Sequence, residues 1–162
     1  MFQRIIVPLD GSRGAERAIP VAARVARNAG GSLLFVRVVF PPVDLGKPTI
    51  HFSRMWERPA LEAERARAVS YLVGVLLNYA IDLAGLTTNI GVASGLAPDA
   101  ICATALAEHA DLIVMCSHGE TGLKRWLFGG VAHEVTRKSS IPVLVLNECG
   151  EQIAATHGAH LV

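Results

Sequence analysis

Residues Leu112 to Asn147 read LIVMCSHGETGLKRWLFGGVAHEVTRKSSIPVLVLN, and the rest of the chain is organised around this stretch. Leu112 to Met115 is a short, continuous apolar run, the pattern of a strand covered on both faces in a parallel sheet. Cys116-Ser117-His118-Gly119 lies where that strand ends, nine residues follow, and Gly129-Gly130 immediately precede VAHEVTRK, which reads as a helix. Val143 to Leu146 is a second apolar strand. A helix start offers unpaired backbone N–H groups and the positive end of a dipole, and glycines let a phosphate approach without a Cβ in the way. The spacing therefore predicts a strand, a glycine loop, a helix and a strand, arranged in a way that suits an anion.

The same residues resemble the nucleotide-binding signature of the universal stress protein family, in its ATP-binding form. That signature runs Gly, two residues, Gly, nine residues, Gly, then Ser or Thr, and the spacing here fits without a gap. Gly119 and Gly129 match it. Cys116 stands where the first Gly is usual and Gly130 where the hydroxyl residue is usual, so the signature is degenerate. The similarity extends from IIVPLDGS at residues 5–12 to IPVLVL at residues 141–146.

Length and composition set the bounds. The chain has 162 residues, enough for one domain with a real core. Hydrophobic residues make up 51% and charged residues 18%, with a mean hydropathy of +0.40, so the chain is unusually apolar for a small monomer. A net charge of +1, with no cluster of Lys and Arg among aromatics, argues against a nucleic-acid partner. Cys102, Cys116 and Cys149 lack C-x-x-C spacing, and the chain enters a strand at once with no signal-peptide pattern, so a reducing cytoplasm is the expected setting.

Taken in order, Ile5-Ile6-Val7 forms strand one, and Asp10-Gly11-Ser12 supplies turn and N-cap chemistry. One helix is expected through Ala18, Ile19, Ala22, Val25 and Ala26, bent at Pro20 and ended by Gly30-Gly31. Leu33 to Phe40 is strand two. Val43 to Arg58 has no clear period and reads as a long loop. From Pro59 the chain turns helical, with Val69, Leu72, Val73, Leu76, Leu77, Ala80, Leu83 and Ala84 as the apolar face toward the core. Tyr71, Val75 and Tyr79 form a second apolar line on the side expected to meet water, and its polar breaks exclude a membrane span of about 20 apolar residues. Thr87 to Val92 is strand three, and a helix opened by Pro98 and Asp99 runs to Glu108.

The order is β-α-β-α-β-α-β-α-β. Right-handed crossovers between strands so short and apolar imply an α/β fold, an open parallel sheet with helices on both faces. The carboxyl ends of strands one and four then meet where open α/β sheets bind ligands. The resemblance implies the strand order 3-2-1-4-5 of the adenine nucleotide alpha hydrolase-like fold, a family domain over residues 1–147 with 148–162 as a tail, and a homodimer paired through the fifth strand. It also implies the nucleotide-binding residues: Pro8, Leu9 and Asp10 against base and sugar, Val38 meeting the adenine through its backbone, Met115, Cys116, His118 and Gly119 at the strand end and loop, and Gly129, Gly130 and Val131 with their N–H groups toward the phosphates. The implied ligand is ATP with Mg2+. Asp10 has a plainer reading as a helix-capping turn residue that needs no ligand.

Other chemistries lack their motifs. His133-Glu134 begins like H-E-x-x-H, but Arg137 occupies the second ligand position. His157 and His160 fall in the tail. Neither a G-x-S-x-G elbow nor a P-loop is present, and Pro8-Leu9-Asp10-Gly11-Ser12 is not the Ser-Gly-Gly-x-Asp-Ser loop of ATP pyrophosphatases. Cys116 beside a helix start has a redox reading, against the simpler one of a small strand-end residue. Asp10, His118 and Glu120 are polar groups near the loop, but none is a placed general base, so ATP hydrolysis is expected to be slow or absent. Two functions follow: an ATP-binding dimeric regulator of the stress response, or a dimeric interaction module that holds no nucleotide. Cys116 and Gly130 keep the second open.

Overall fold

The computed structural model describes residues 2–40, 54–117 and 130–147. Strand β1 (Arg4–Pro8) is followed by α1 (Arg13–Glu16), α2 (Ala18–Ala29), β2 (Ser32–Val39), α3 (Arg54–Asn78), β3 (Thr87–Ser94), α4 (Ala97–Ala107), β4 (Leu112–Cys116), α5 (Gly130–Lys138) and β5 (Val143–Leu146). All strands are parallel in one sheet of order β3-β2-β1-β4-β5. The order reverses at β1, so the carboxyl ends of β1 and β4 border one crevice.

Period-two alternation splits the strand residues between two cores. On one face Ile5, Val7, Leu33, Phe35, Leu112 and Val114 pack with Ile19, Ala22 and Ala26 of α2 and Leu72 and Val75 of α3. On the other, Ile6, Leu34, Val36, Ile113 and Met115 pack with Ile101 and Ala105 of α4 and Ala132 and Val135 of α5. Each fully buried aliphatic or Phe side chain here contributes roughly 1.5–3 kcal/mol of transfer free energy. At the amino end, the Asp111 carboxylate accepts hydrogen bonds from Gln3 N (2.6 Å) and Arg4 N (3.1 Å), tying the start of β1 to the start of β4.

The single first helix expected from sequence is two helices, broken at Arg17. Pro20 falls in the first turn of α2, where a missing N–H forfeits no helical hydrogen bond, so the break lies ahead of Pro20 rather than at it. The loop expected from Val43 to Arg58 ends earlier: α3 begins at Arg54 and carries Pro59 near its start, while residues 43–53 lie outside the described residues. At its other end α3 stops at Asn78, and Leu83 N returns to Tyr79 O through a turn that Gly85 closes at φ 77°.

The core face of α3 is also corrected. Ala68, Leu72 and Val75 are buried, with Tyr71, Leu76 and Tyr79 packed beside them. Val69, Val73 and Leu77 are instead 43%, 42% and 72% exposed. Both stripes are apolar at helical spacing, but the tyrosine line buries aromatic rings and still finds an acceptor for each hydroxyl in Glu16 of α1. No helix among the described residues is long and apolar enough to cross a membrane.

Candidate functional site

Strand β1 hands over to α1 through a turn built by its own side chains. Leu9 N donates to Val36 O (2.8 Å), which keeps the chain in register with β2 just past Pro8. Asp10 Oδ1 then accepts from Ser12 N (2.9 Å), and Gly11 takes φ +93°, a conformation that L side chains rarely adopt. Ser12, buried, caps α1 by accepting from Ala15 N (3.1 Å). The cap is therefore Ser12, and Asp10 closes the turn before it with its side chain still exposed.

Strand β4 ends alongside. Met115 faces the α4 and α5 layer, while Cys116 alternates to the other face and its Sγ lies 3.9 Å from the Ala15 carbonyl. Ser117 is 2% exposed, and its N–H donates to Leu146 O (2.9 Å), so the strand end is pinned to β5. Opposite these ends α5 begins at Gly130. A Cβ built on Gly130 meets no described residue within 4 Å. At its far end Lys138 Nζ pairs with Asp99 (2.6 Å), which fastens α5 to the start of α4.

A cavity of about 220 Å³ lies where these parts meet. Pro8, Leu9, Asp10, Val38, Met115, Cys116, Gly130 and Val131 all line it. His118, Gly119 and Gly129 lie outside the described residues. Ala15, Val36, Ala97, Ile101, Ser117 and Ala132 complete the wall and are not singled out by the sequence reading. A signal for three of them is present: Val36 shares its strand face with Val38, and Ala97 and Ile101 fall at i,i+4 on α4. Asp10 is the one carboxylate among the lining residues, and the rest of the wall is largely apolar. A larger, more open groove of about 740 Å³ runs along β3, β2 and α4, but none of the predicted site residues lines it.

The walls fit a flat apolar group with an anionic end. Val36, Val38, Ile101 and Met115 offer apolar surface, and the first turn of α5 offers backbone N–H donors. Among the described residues no group of three His, Cys, Asp or Glu side chains could hold a metal ion. Arg137 pairs with Glu134 one helical turn earlier (2.8 Å).

Comparison with known proteins agrees with this arrangement. The family model described as the universal stress protein family matches residues 1–147. A universal stress protein of Thermus aquaticus, encoded in the QAH/OAS sulfhydrylase 3' region, is 33% identical over 148 residues, 90% of this chain and 99% of that one. The structure of hypothetical protein MJ0577, from Methanocaldococcus jannaschii, superposes with a TM-score of 0.77 at 24% identity, covering 93% of this chain and 99% of that one. The structure of the universal stress protein from Archaeoglobus fulgidus in complex with dAMP gives a TM-score of 0.58 at 23% identity, covering 89% and 97%. Sheet order, family match and a relative one-third identical along nearly its whole length lead to one assignment: this chain belongs to the universal stress protein family.

Proposed function

We propose that the cavity between β1, β4 and α5 binds an adenine nucleotide, ATP with Mg2+ being the form taken, and that the protein is a cytoplasmic homodimer regulating a stress response. The observation that carries this reading is the start of α5 at Gly130, which lines the cavity together with the apolar end of β1. Backbone N–H groups there supply phosphate ligands, and the apolar walls take the base. The dAMP complex of the Archaeoglobus fulgidus protein supports an adenine nucleotide as the class of ligand. In this reading Asp10, already tethered by Ser12 N through one oxygen, turns its other oxygen to the sugar, and the loop residues His118, Gly119 and Gly129 complete the phosphate site.

The two departures from the signature weigh differently. Cys116 lies at the strand end with its thiol toward Ala15 O, and both residues line the cavity. Gly130 removes one hydroxyl and keeps the helix N–H donors. Neither gives the chain a catalytic base, so ligand occupancy rather than turnover is the signal. The test is to denature purified protein and identify released nucleotide, then titrate nucleotide-free protein with Mg·ATP by calorimetry. Adenine nucleotide released, or binding in the micromolar to millimolar range, is expected; neither at millimolar Mg·ATP would defeat the reading.

A nucleotide-free dimeric interaction module is the competing reading, and the side chain of Cys116 at a usual glycine position favours it. Both readings share the dimer. Strand β5 ends the sheet, and Leu144 on it is 37% exposed, so an edge with an apolar side chain is left for a second copy. Sedimentation that finds only a 17.2 kDa species at micromolar concentration would count against both.

A further inference from the structure

Beneath the turn that carries Asp10 sits a charge that packing alone does not explain. Arg37 leaves β2 on the face of Phe35 and lies over the Tyr71 ring, its Cζ 5.2 Å from the centroid. Its guanidinium is pressed against the underside of Gly11: a Cβ at Gly11 would stand 2.5 Å from Nη1 and 3.2 Å from Cζ. That Nη1 is buried with no hydrogen-bond partner among the described residues. An unpaired N–H of a charged group is costly to bury, and a Met would fill the same space without that cost. The charge itself is therefore the feature to explain.

Its surroundings indicate what it acts on. Asp10 is the one carboxylate lining the cavity, and it opposes any anion placed there. Arg37 lies over the Tyr71 ring and against Gly11, the residue that follows Asp10 in the turn. The guanidinium thus stands beneath the turn that carries Asp10.

We propose that Arg37 acts on the cavity through its charge: from beneath the Asp10-Gly11-Ser12 turn it offsets the charge of Asp10, so that the cavity accepts a phosphorylated ligand over its neutral nucleoside. This rests on the nucleotide reading of the cavity. The test measures binding of Mg·ATP by calorimetry and of adenosine by ligand NMR to the wild type, Arg37→Met and Arg37→Lys. Arg37→Met should weaken Mg·ATP roughly three- to tenfold, as expected for one charge acting across several ångströms of protein, and leave adenosine unchanged. Arg37→Lys, which keeps the charge and loses the planar stack, should recover most of the Mg·ATP affinity. Should Arg37→Met fail to fold, Arg37→Gln makes the same comparison. Equal losses for the two ligands would reduce Arg37 to a packing residue and overturn the inference, as would an unchanged affinity for Mg·ATP. A wild type that binds neither ligand would overturn the nucleotide reading and this inference with it.

Discussion

Tyr71 donates its hydroxyl to Glu16 Oε1 across 2.9 Å, and this bond ties the longest helix of the fold to the short helix that follows the β1 turn. Tyr79 donates to the other oxygen of the same carboxylate at 3.3 Å. Glu16 thus fixes the face that α3 presents to the core.

The pair makes alkaline stability a direct readout. The Tyr71 hydroxyl is held above its ordinary value by burial first and by the Glu16 hydrogen bond next; Tyr79 is raised by burial and by the Glu16 charge. The folded state binds these protons more tightly than the unfolded chain, so their contribution is whole below a pH of about 10 and is lost as pH rises beyond it. Tyr71→Phe should cost about 1.5 kcal/mol at neutral pH, the low end for a bond to a charged group, because Tyr79 still serves Glu16. Its melting temperature should also fall less steeply above pH 10 than that of the wild type. Parallel alkaline limbs for the two proteins would refute the assignment.

The orientation of α3 can be checked by paired truncations. Leu72→Ala should cost roughly 2–5 kcal/mol and Val73→Ala less than about 0.5 kcal/mol in urea unfolding, since Leu72 is fully buried and Val73 is 42% exposed. The face expected from sequence contains both residues and would make both expensive.

What the sequence discloses depends on how local the deciding interaction is. The strands around Ile6, Val36 and Ile113 are legible because a parallel sheet buried on both faces demands continuous apolar runs. The start of α5 at Gly130 is legible because helix starts carry their own chemistry. The face of α3 is not, since two apolar stripes share one spacing and the acceptor that chooses between them, Glu16, lies 55 residues from Tyr71. Arg37 is hidden for the same reason: its partner surface is Gly11, which only the β1–β2 pairing brings above it. Asp10 and Ser12 both suit an N-cap, and only the observed hydrogen bonds divide the work between them.

His109 is the one described non-glycine residue with positive φ, at 53°, just past α4. Its N–H returns to Leu106 O and Ala110 N returns to Ala105 O, the closing pattern of a helix that ends in the left-handed region. A glycine takes that conformation without Cβ strain, so His109→Gly should raise stability by up to about 1 kcal/mol, despite the extra freedom glycine gives the unfolded chain. A fall in the urea midpoint would show that the His109 side chain makes a contribution the backbone argument omits.

Gly130→Ser restores the hydroxyl that the family signature usually carries, and the structure makes room for it. A Cβ there meets no described residue within 4 Å and Gly130 has no positive φ, so the substitution should change stability by less than about 0.5 kcal/mol. If the cavity holds ATP, the new hydroxyl gains a phosphate oxygen as acceptor. A hydrogen bond to a charged group contributes roughly 1.5–3 kcal/mol, so Mg·ATP should bind about one to two powers of ten more tightly. Adenosine lacks the acceptor and should bind Gly130→Ser as it binds the wild type. Gly129→Val tests the same helix start by adding bulk beside it, and should abolish Mg·ATP binding. Tighter Mg·ATP binding with adenosine unchanged would place the phosphates at the first turn of α5; unchanged affinity for both ligands would place them elsewhere.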